Sequence, residues 1–255
     1  MSNSDHTIQV FHSNLPFPVV NAKQNIVKIL CDQFSELCQS VHVCTINAEI
    51  AHRLLNYKRS QLSLKSVKYF IPDGIGVALA YKYLFGVDAG KLPGIEFSEE
   101  LLGECERRAW NVALYGATSD CVFSASHFLK NKFHCLRIAA VLDGYSDSNS
   151  VKSFLVKCQN ESVKVILVAL GHPSQDEFIS KNLDLIPAIW VGVGGSFDVW
   201  SGSKKRSPKF LSLFGLEWIY RILQDPTPAR LKRSLDLPAF CLDMLFYRLR
   251  QLRGR

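Results

Sequence analysis

Apolar positions along the chain switch repeatedly between two periods. Over 21–40, NAKQNIVKILCDQFSELCQS places Ile26, Ile29, Leu30, Phe34 and Leu37 on one helical face. SVHVCTIN (40–47) then reads as a strand and AEIAHRLLNY (48–57) as a helix. The exchange continues to residue 195, with strands predicted at VKYFI (67–71), NVALYG (111–116), LRIAAVLDGY (136–145), VKVILVALG (163–171) and AIWVGVGG (188–195). Helical patterns lie between them, after the loop at 73–76, over 119–132, over 150–158 and from about Gln175 to Leu183. Strands apolar on both faces that alternate with helices predict an α/β fold. The sheet is mainly parallel, open and Rossmann-like in outline, with helices on both faces.

Open sheets of this kind bind ligands beyond the carboxyl ends of their strands, so the residues that end each strand carry the functional information. Those residues are Thr45 and Asn47, Asp73, Gly116, and Asp143-Gly144-Tyr145. Gly171-His172-Pro173 with Gln175, and Gly194-Gly195 with Asp198, complete the edge. Glycines let backbone N–H groups approach phosphate oxygens, and polar side chains can hold a sugar. The same residue types also serve βα loops as turn and cap residues. Taken along one edge they point to a phosphate-bearing ligand. Asp73, in IPDGIGVALAYKYLFG (71–86), reads either as a helix cap or as a carboxylate positioned to take a proton. Gly74 and Gly76 begin a GxGxxG whose third position is Leu79, and GxxxxGK[ST] is absent. A dinucleotide dehydrogenase or an NTPase is therefore not expected.

Composition narrows the picture further. The eight cysteines form no CxxC pair and the seven histidines no HxxxH pair, so buried thiols are expected, with no metal site and no disulfide frame. No apolar run reaches the roughly 18 residues of a membrane span, and MSNSDHTIQVFHSNLPFPVV lacks the pattern of a secretory signal. A cytoplasmic protein is expected. The net charge of +7 is uneven: residues 204–255 hold 12 Lys/Arg against 4 Asp/Glu, leaving 18 basic and 19 acidic residues in 1–203. This predicts an α/β domain over 1–203 and a basic helical appendage over 204–255 that meets something anionic.

The ordered series TINAE (45–49), PDGIGV (72–77), KLPGIEF (91–97), ALYGAT (113–118), LDGY (142–145), GHPSQDEFI (171–179), VGVGGSFDVWSG (191–202), KRSP (205–208) and GLEWIYRILQDPTPARLKR (215–233) resembles the WecG/TagA/CpsF family of bacterial glycosyltransferases. The resemblance runs from about residue 10 to 235. It departs from the family's usual Arg and Asp at Lys91 and Glu96, from Gln-Glu at Gln175-Asp176, and from Trp at Phe178.

The resemblance implies an inverting transferase, with no metal or cofactor, that takes an N-acetylmannosamine-type, glucose or uronic acid unit from a UDP-sugar. The acceptor implied is a polyprenyl-diphosphate-linked sugar at the inner face of the cytoplasmic membrane, in capsule, exopolysaccharide or related polymer synthesis. Asp73 matches the family's base. Thr45 and Asn47 would orient sugar or acceptor, and could equally cap helix 48–57. Gly116, Tyr145, Gln175, Gly194, Gly195 and Asp198 resemble nucleotide-side residues, with Tyr145 stacking on uracil or simply filling a turn. Arg206, Arg221, Arg230 and Arg233 are candidates to meet the two diphosphates. A non-catalytic UDP-sugar sensor or scaffold is the alternative.

FCLDMLFYRLRQLRGR (240–255) places Leu242, Leu245, Phe246, Leu249 and Leu252 on one stripe, with Arg248, Arg250, Arg253 and Arg255 among and beyond them. A basic amphipathic helix of this kind suits an anionic membrane surface. A helix packed on the domain or on a second subunit carries the same stripe. Nucleic acid is not expected, because no recognition motif accompanies the basic residues.

Overall fold

The computed structural model describes residues 7–208, 211, 217–224, 226–227, 231 and 234–253. A short hairpin, β1 (Val10–Phe11) and β2 (Val19–Val20), precedes β3 (Val41–Ile46), β4 (Val67–Pro72), β5 (Asn111–Gly116), β6 (Arg137–Leu142), β7 (Val165–Ala169) and β8 (Ile189–Gly192). The last six are the predicted strands, and every pairing among them is parallel. The hairpin extends the edge, with β2 parallel to β4 and β1 antiparallel to β2. Two-residue strands are too short to carry a period, so the pattern of apolar positions does not reveal them.

The helices are α1 (Ile26–Leu37), α2 (Ala48–Asn56), α3 (Lys58–Ser63), α4 (Ile75–Phe85), α5 (Gly94–Arg107), α6 (Ser119–Lys132), α7 (Ser148–Asn160), α8 (Ser174–Asn182), α9 (Ser196–Trp200), α10 (Glu217–Gln224) and α11 (Asp236–Arg253). The periodicity does not predict α3 or α5. The first is short and polar; the second opens at Pro93-Gly94 without a capping side chain and so reads as loop.

Alternation along the strands divides the core. Val41 and Val43 of β3 pack with α1, α5 and α6, whereas Cys44 and Ile46 pack with α2, α4 and α11. Ile166, Val168 and Trp190 pack with α7 and α8 on that second face. Every residue of β3, β7 and β8 is buried, as two covered faces require. Of the cysteines, Cys31, Cys44, Cys105, Cys121 and Cys158 are buried; Cys38, Cys135 and Cys241 are exposed, against the expectation of buried thiols. Burial pushes the thiols of Cys31 and Cys158 up to about 12.

The strand order is β1-β2-β4-β3-β8-β7-β5-β6. β7 leads one way, to β8, and its neighbour β5 the other way, to β6. Such a reversal marks the ligand crevice of an open sheet. At the centre, β3 and β8 lie side by side and bring the first and last predicted strand ends together. No helix among the described residues is long and apolar enough to cross a membrane.

Candidate active site

The carboxyl edge gathers two groups of residues, one around β3 and β4 and one around β5, β6 and β8. In the first, the Asp73 N–H donates to Ile46 O (2.8 Å), which fixes the end of β4 against the end of β3. The Leu92 N–H donates to Pro72 O (2.9 Å) and draws the start of α5 over the same point. Thr45 is buried, with Oγ1 3.5 Å from Gly192 O. A Cβ at Gly94 would lie 2.9 Å from that Oγ1, so glycine is what lets α5 close on Thr45. Thr45 therefore sits within a strand and caps no helix.

Asn47 behaves otherwise. It is the N-cap of α2, its Oδ1 accepting from the Ile50 N–H at 3.0 Å. Asp73 has no such place, because α4 opens at Ile75 with Gly74 (φ 81°) as its N-cap residue. Asp73 also lies close enough to Cys44 for its charge to act on that thiol. Neither Gly74 nor Pro93 offers a capping side chain, so α4 and α5 begin beside Asp73 and Thr45 with N-termini suited to negative charge.

In the second group, Gly116 ends β5 at φ 124°, and a Cβ there would stand 2.5 Å from Ala169 O. The tight approach of β5 to β7 accounts for this glycine without a ligand. The Gly144 N–H donates to Ala117 O (2.8 Å), leaning the β6 loop over the switch point. Tyr145 is 82% exposed, with its ring open to a stacking partner. Asp143 shapes that loop by accepting from the Ser146 hydroxyl (2.7 Å) and the Tyr145 N–H (2.9 Å). Those bonds hold its carboxyl below the usual range.

Gln175 is buried, its Oε1 accepting from the Gly194 N–H at 3.1 Å. A Cβ at Gly192 would meet its Nε2 at 2.4 Å, so the amide fills the space beside that glycine. The side chain holds the turn after β8 and is itself kept from the surface. Gly194 (φ 51°) and Gly195, the N-cap of α9, form the turn. Asp198 pairs with Lys204 Nζ (2.9 Å), accepts from the Cys121 thiol (3.6 Å), and with its backbone carbonyl organises Ser201, Ser203 and Lys204. Arg206 forms an ion pair with Glu96 of α5. Arg221 lies in α10. Arg230 and Arg233 lie outside the described residues.

A buried polar chain beneath the site escapes the sequence reading. Ser60 Oγ is 3.0 Å from His172 Nε2, whose Nδ1 is 2.8 Å from Asp176 Oδ2. Asp176 Oδ1 faces His42 Nε2 at 3.4 Å, and His42 Nδ1 meets Ser66 Oγ at 2.8 Å. The 3.4 Å contact falls short of a well-formed hydrogen bond, and its two atoms are buried with no other partner. Burial pushes the Asp176 carboxyl up, but the bond from His172 and the proximity of His42 outweigh it and leave the group below its ordinary range. His172 borders Pro173 at a strand end and was visible as an edge residue. Its partners are Asp176, four residues on in α8, and Ser60 of α3, and nothing in the local pattern announces the contact with Ser60 or that of Asp176 with His42 of β3.

Comparison with known proteins bears on the whole chain. The model of the glycosyl transferase WecG/TagA/CpsF family matches residues 12–254. A protein of Bacillus spizizenii named N-acetylglucosaminyldiphosphoundecaprenol N-acetyl-beta-D-mannosaminyltransferase is 35% identical over 205 residues, covering 80% of this chain and 78% of its own. The Bacillus subtilis protein of that name is 32% identical over 204 residues, with the same coverage. The one from Staphylococcus aureus is 29% identical over 202 residues, 79% of this chain and 78% of its own.

Proposed function

The chain belongs to the WecG/TagA/CpsF family of glycosyltransferases, and from that premise we propose that it moves a hexose from a UDP-sugar to a polyprenyl-diphosphate-linked sugar, inverting the anomeric centre. The relatives are named for N-acetylmannosamine transfer to N-acetylglucosaminyldiphosphoundecaprenol, so those two sugars are the first donor and acceptor to test. The observation that carries the reading is Asp73, a carboxylate at the β4 edge held against the end of β3 through Ile46 O, with Gly74 and not Asp73 in the N-cap position of α4.

In the proposed reaction the Asp73 carboxylate takes the proton of the acceptor hydroxyl. The oxygen's electron pair attacks the anomeric carbon as the bond to the UDP oxygen breaks, and UDP leaves with that bond's electrons. Developing charge on the diphosphate would be met by the backbone at Gly194 and Gly195 and by cations of the appendage, 204–255. Arg206 and Arg221 are the described members of that set; Arg230 and Arg233 complete it. Tyr145 stacks on the uracil, while Gly116 serves the close approach of β5 to β7 beneath it. Asp198 acts through Lys204, which it holds at the crevice.

The acceptor's lipid requires a membrane. α11 buries Phe240 and Met244 against the domain and leaves Leu242, Leu245, Phe246, Leu249 and Leu252 exposed. That outward stripe, with the exposed Arg250 and Arg253, supports peripheral attachment to an anionic surface on the cytoplasmic side.

The test is sugar transfer from a panel of UDP-sugars to a short-chain polyprenyl-diphosphate N-acetylglucosamine, with Asp73→Asn beside wild type. One donor should turn over, and the substitution should lower that rate about 10²–10⁴-fold while leaving UDP binding intact. Wild type that binds UDP and transfers nothing would instead favour a UDP-sugar sensor at the membrane.

A further inference from the structure

We propose that Asp176, gripped by His172 and His42, is a positioning residue that sets Gln175 and through it the Gly192–Gly194 turn of the site. The inference rests on the reading above that this turn meets the donor diphosphate.

The Ser60–His172–Asp176 portion has the spacing of a nucleophilic triad, but Ser60 is 3% exposed and no substrate reaches it. Asp176 and the His42 and His172 side chains are at most 4% exposed. A carboxylate sealed in this way is costly unless donors meet it, so its presence calls for a role. One proton arrangement satisfies nearly every atom. The Ser60 hydroxyl donates to His172 Nε2, and the Nδ1–H of His172 donates to Asp176. The Nε2–H of His42 points at the other carboxylate oxygen, and the Ser66 hydroxyl donates to His42 Nδ1. The chain thus ties α8 to α3 and to β3 from below.

Asp176 directly follows Gln175 in the first turn of α8. A carboxylate held from two sides fixes the rotation of that turn, and the rotation decides where the Gln175 amide lies. The amide must reach Gly194 N–H at 3.1 Å while packed beside Gly192, a fit that a small rotation of α8 would break. The Arg59–Glu177 pair clamps α3 to α8 at the surface, on the same side as Ser60 and His172. The network also lies under the catalytic edge, since Cys44 feels both Asp176 and Asp73.

The direct readout is hydrogen exchange at the Gly194 amide in the full chain, followed by NMR without substrate. Asp176→Asn and His172→Ala should each speed that exchange about tenfold, toward the rate in Gln175→Ala, while amides of β5 and β6 stay as in wild type. Ser60→Ala, a milder change, should speed it by less and serves if the buried-charge variants do not fold. UDP binding by calorimetry gives the second readout. Asp176→Asn and Gln175→Ala should weaken it alike, and the double variant no further, as expected of residues acting through one another. Gly194 exchange that responds to Gln175→Ala alone, or losses that add in the double variant, would overturn the proposal. Wild type that fails to bind UDP would sink the proposed reaction, and the exchange rates would still decide the positioning.

Discussion

Asn47 Oδ1 accepts from Ile50 N–H at the start of α2, so Asn47→Ala is expected to cost about 1 kcal/mol in a denaturant melt. Asn47→Asp keeps a good cap and should restore that stability. If transfer activity returns with it, capping was the residue's whole contribution; if activity stays low, the amide itself touches substrate. The pair of variants separates two roles that one residue type can fill. The same division explains what was legible at this scale. Residue types at the strand ends were readable, because the sheet edge is where ligands bind. Their roles were not, because a cap and a ligand group can differ by one position. Asn47 occupies a cap position, whereas at Asp73 the helix starts one residue too late for that. Gln175 reads as an exposed polar group after β7 and turns inward to hold Gly194. The contact of His42 with Asp176 joins residues remote in sequence, and no periodicity signals it.

α11 shows why a helical stripe read from sequence leaves its partner open. Two apolar faces share this helix. Phe240 and Met244, with Leu237 and Tyr247, pack on α2 and α4, while the predicted stripe faces outward. Polar contacts pin the inner face: Asp236 to Arg53 (2.8 Å), Asp243 to His52 (2.7 Å) and Arg248 to Leu84 O (3.2 Å). Met244→Ala should therefore destabilise the helix's docking by about 2–3 kcal/mol. Phe246→Ser with Leu249→Ser should leave melting nearly unchanged and sharply reduce sedimentation with phosphatidylglycerol vesicles. Undiminished sedimentation, or a fall in oligomer size instead, would assign the stripe to a subunit contact. The parallel strands were legible for the opposite reason, since burial on both faces leaves one continuous apolar signal. The opening of α5 was hidden because Pro93-Gly94 has the composition of a turn. Its need for glycine comes from Thr45, in another element.

At the scale of the whole molecule, the carboxylates set how the fold meets acid. Asp88, Asp143, Asp147 and Glu177 are held below their ordinary range by hydrogen bonds, but they lie in solvent, where such pairs contribute little. Glu100 moves the other way, raised by burial and by Glu96. Asp176 is the sealed one. Its folded carboxyl lies below the ordinary 3.8, so the folded state holds the charged form more tightly than the unfolded chain does. That contribution is complete above the unfolded value and is lost as pH falls through the lower, folded one. Thermal melts of wild type should thus vary little above about pH 5 and drop steeply below it. Asp176→Asn should melt lower at pH 7, because an amide cannot accept from both imidazoles, yet lose less on acidification. The two curves should converge as pH falls below 3.8 and through the lower, folded value. Parallel curves would mean that Asp176 is already neutral in the native protein, and that the two histidines hold a protonated acid instead of a carboxylate.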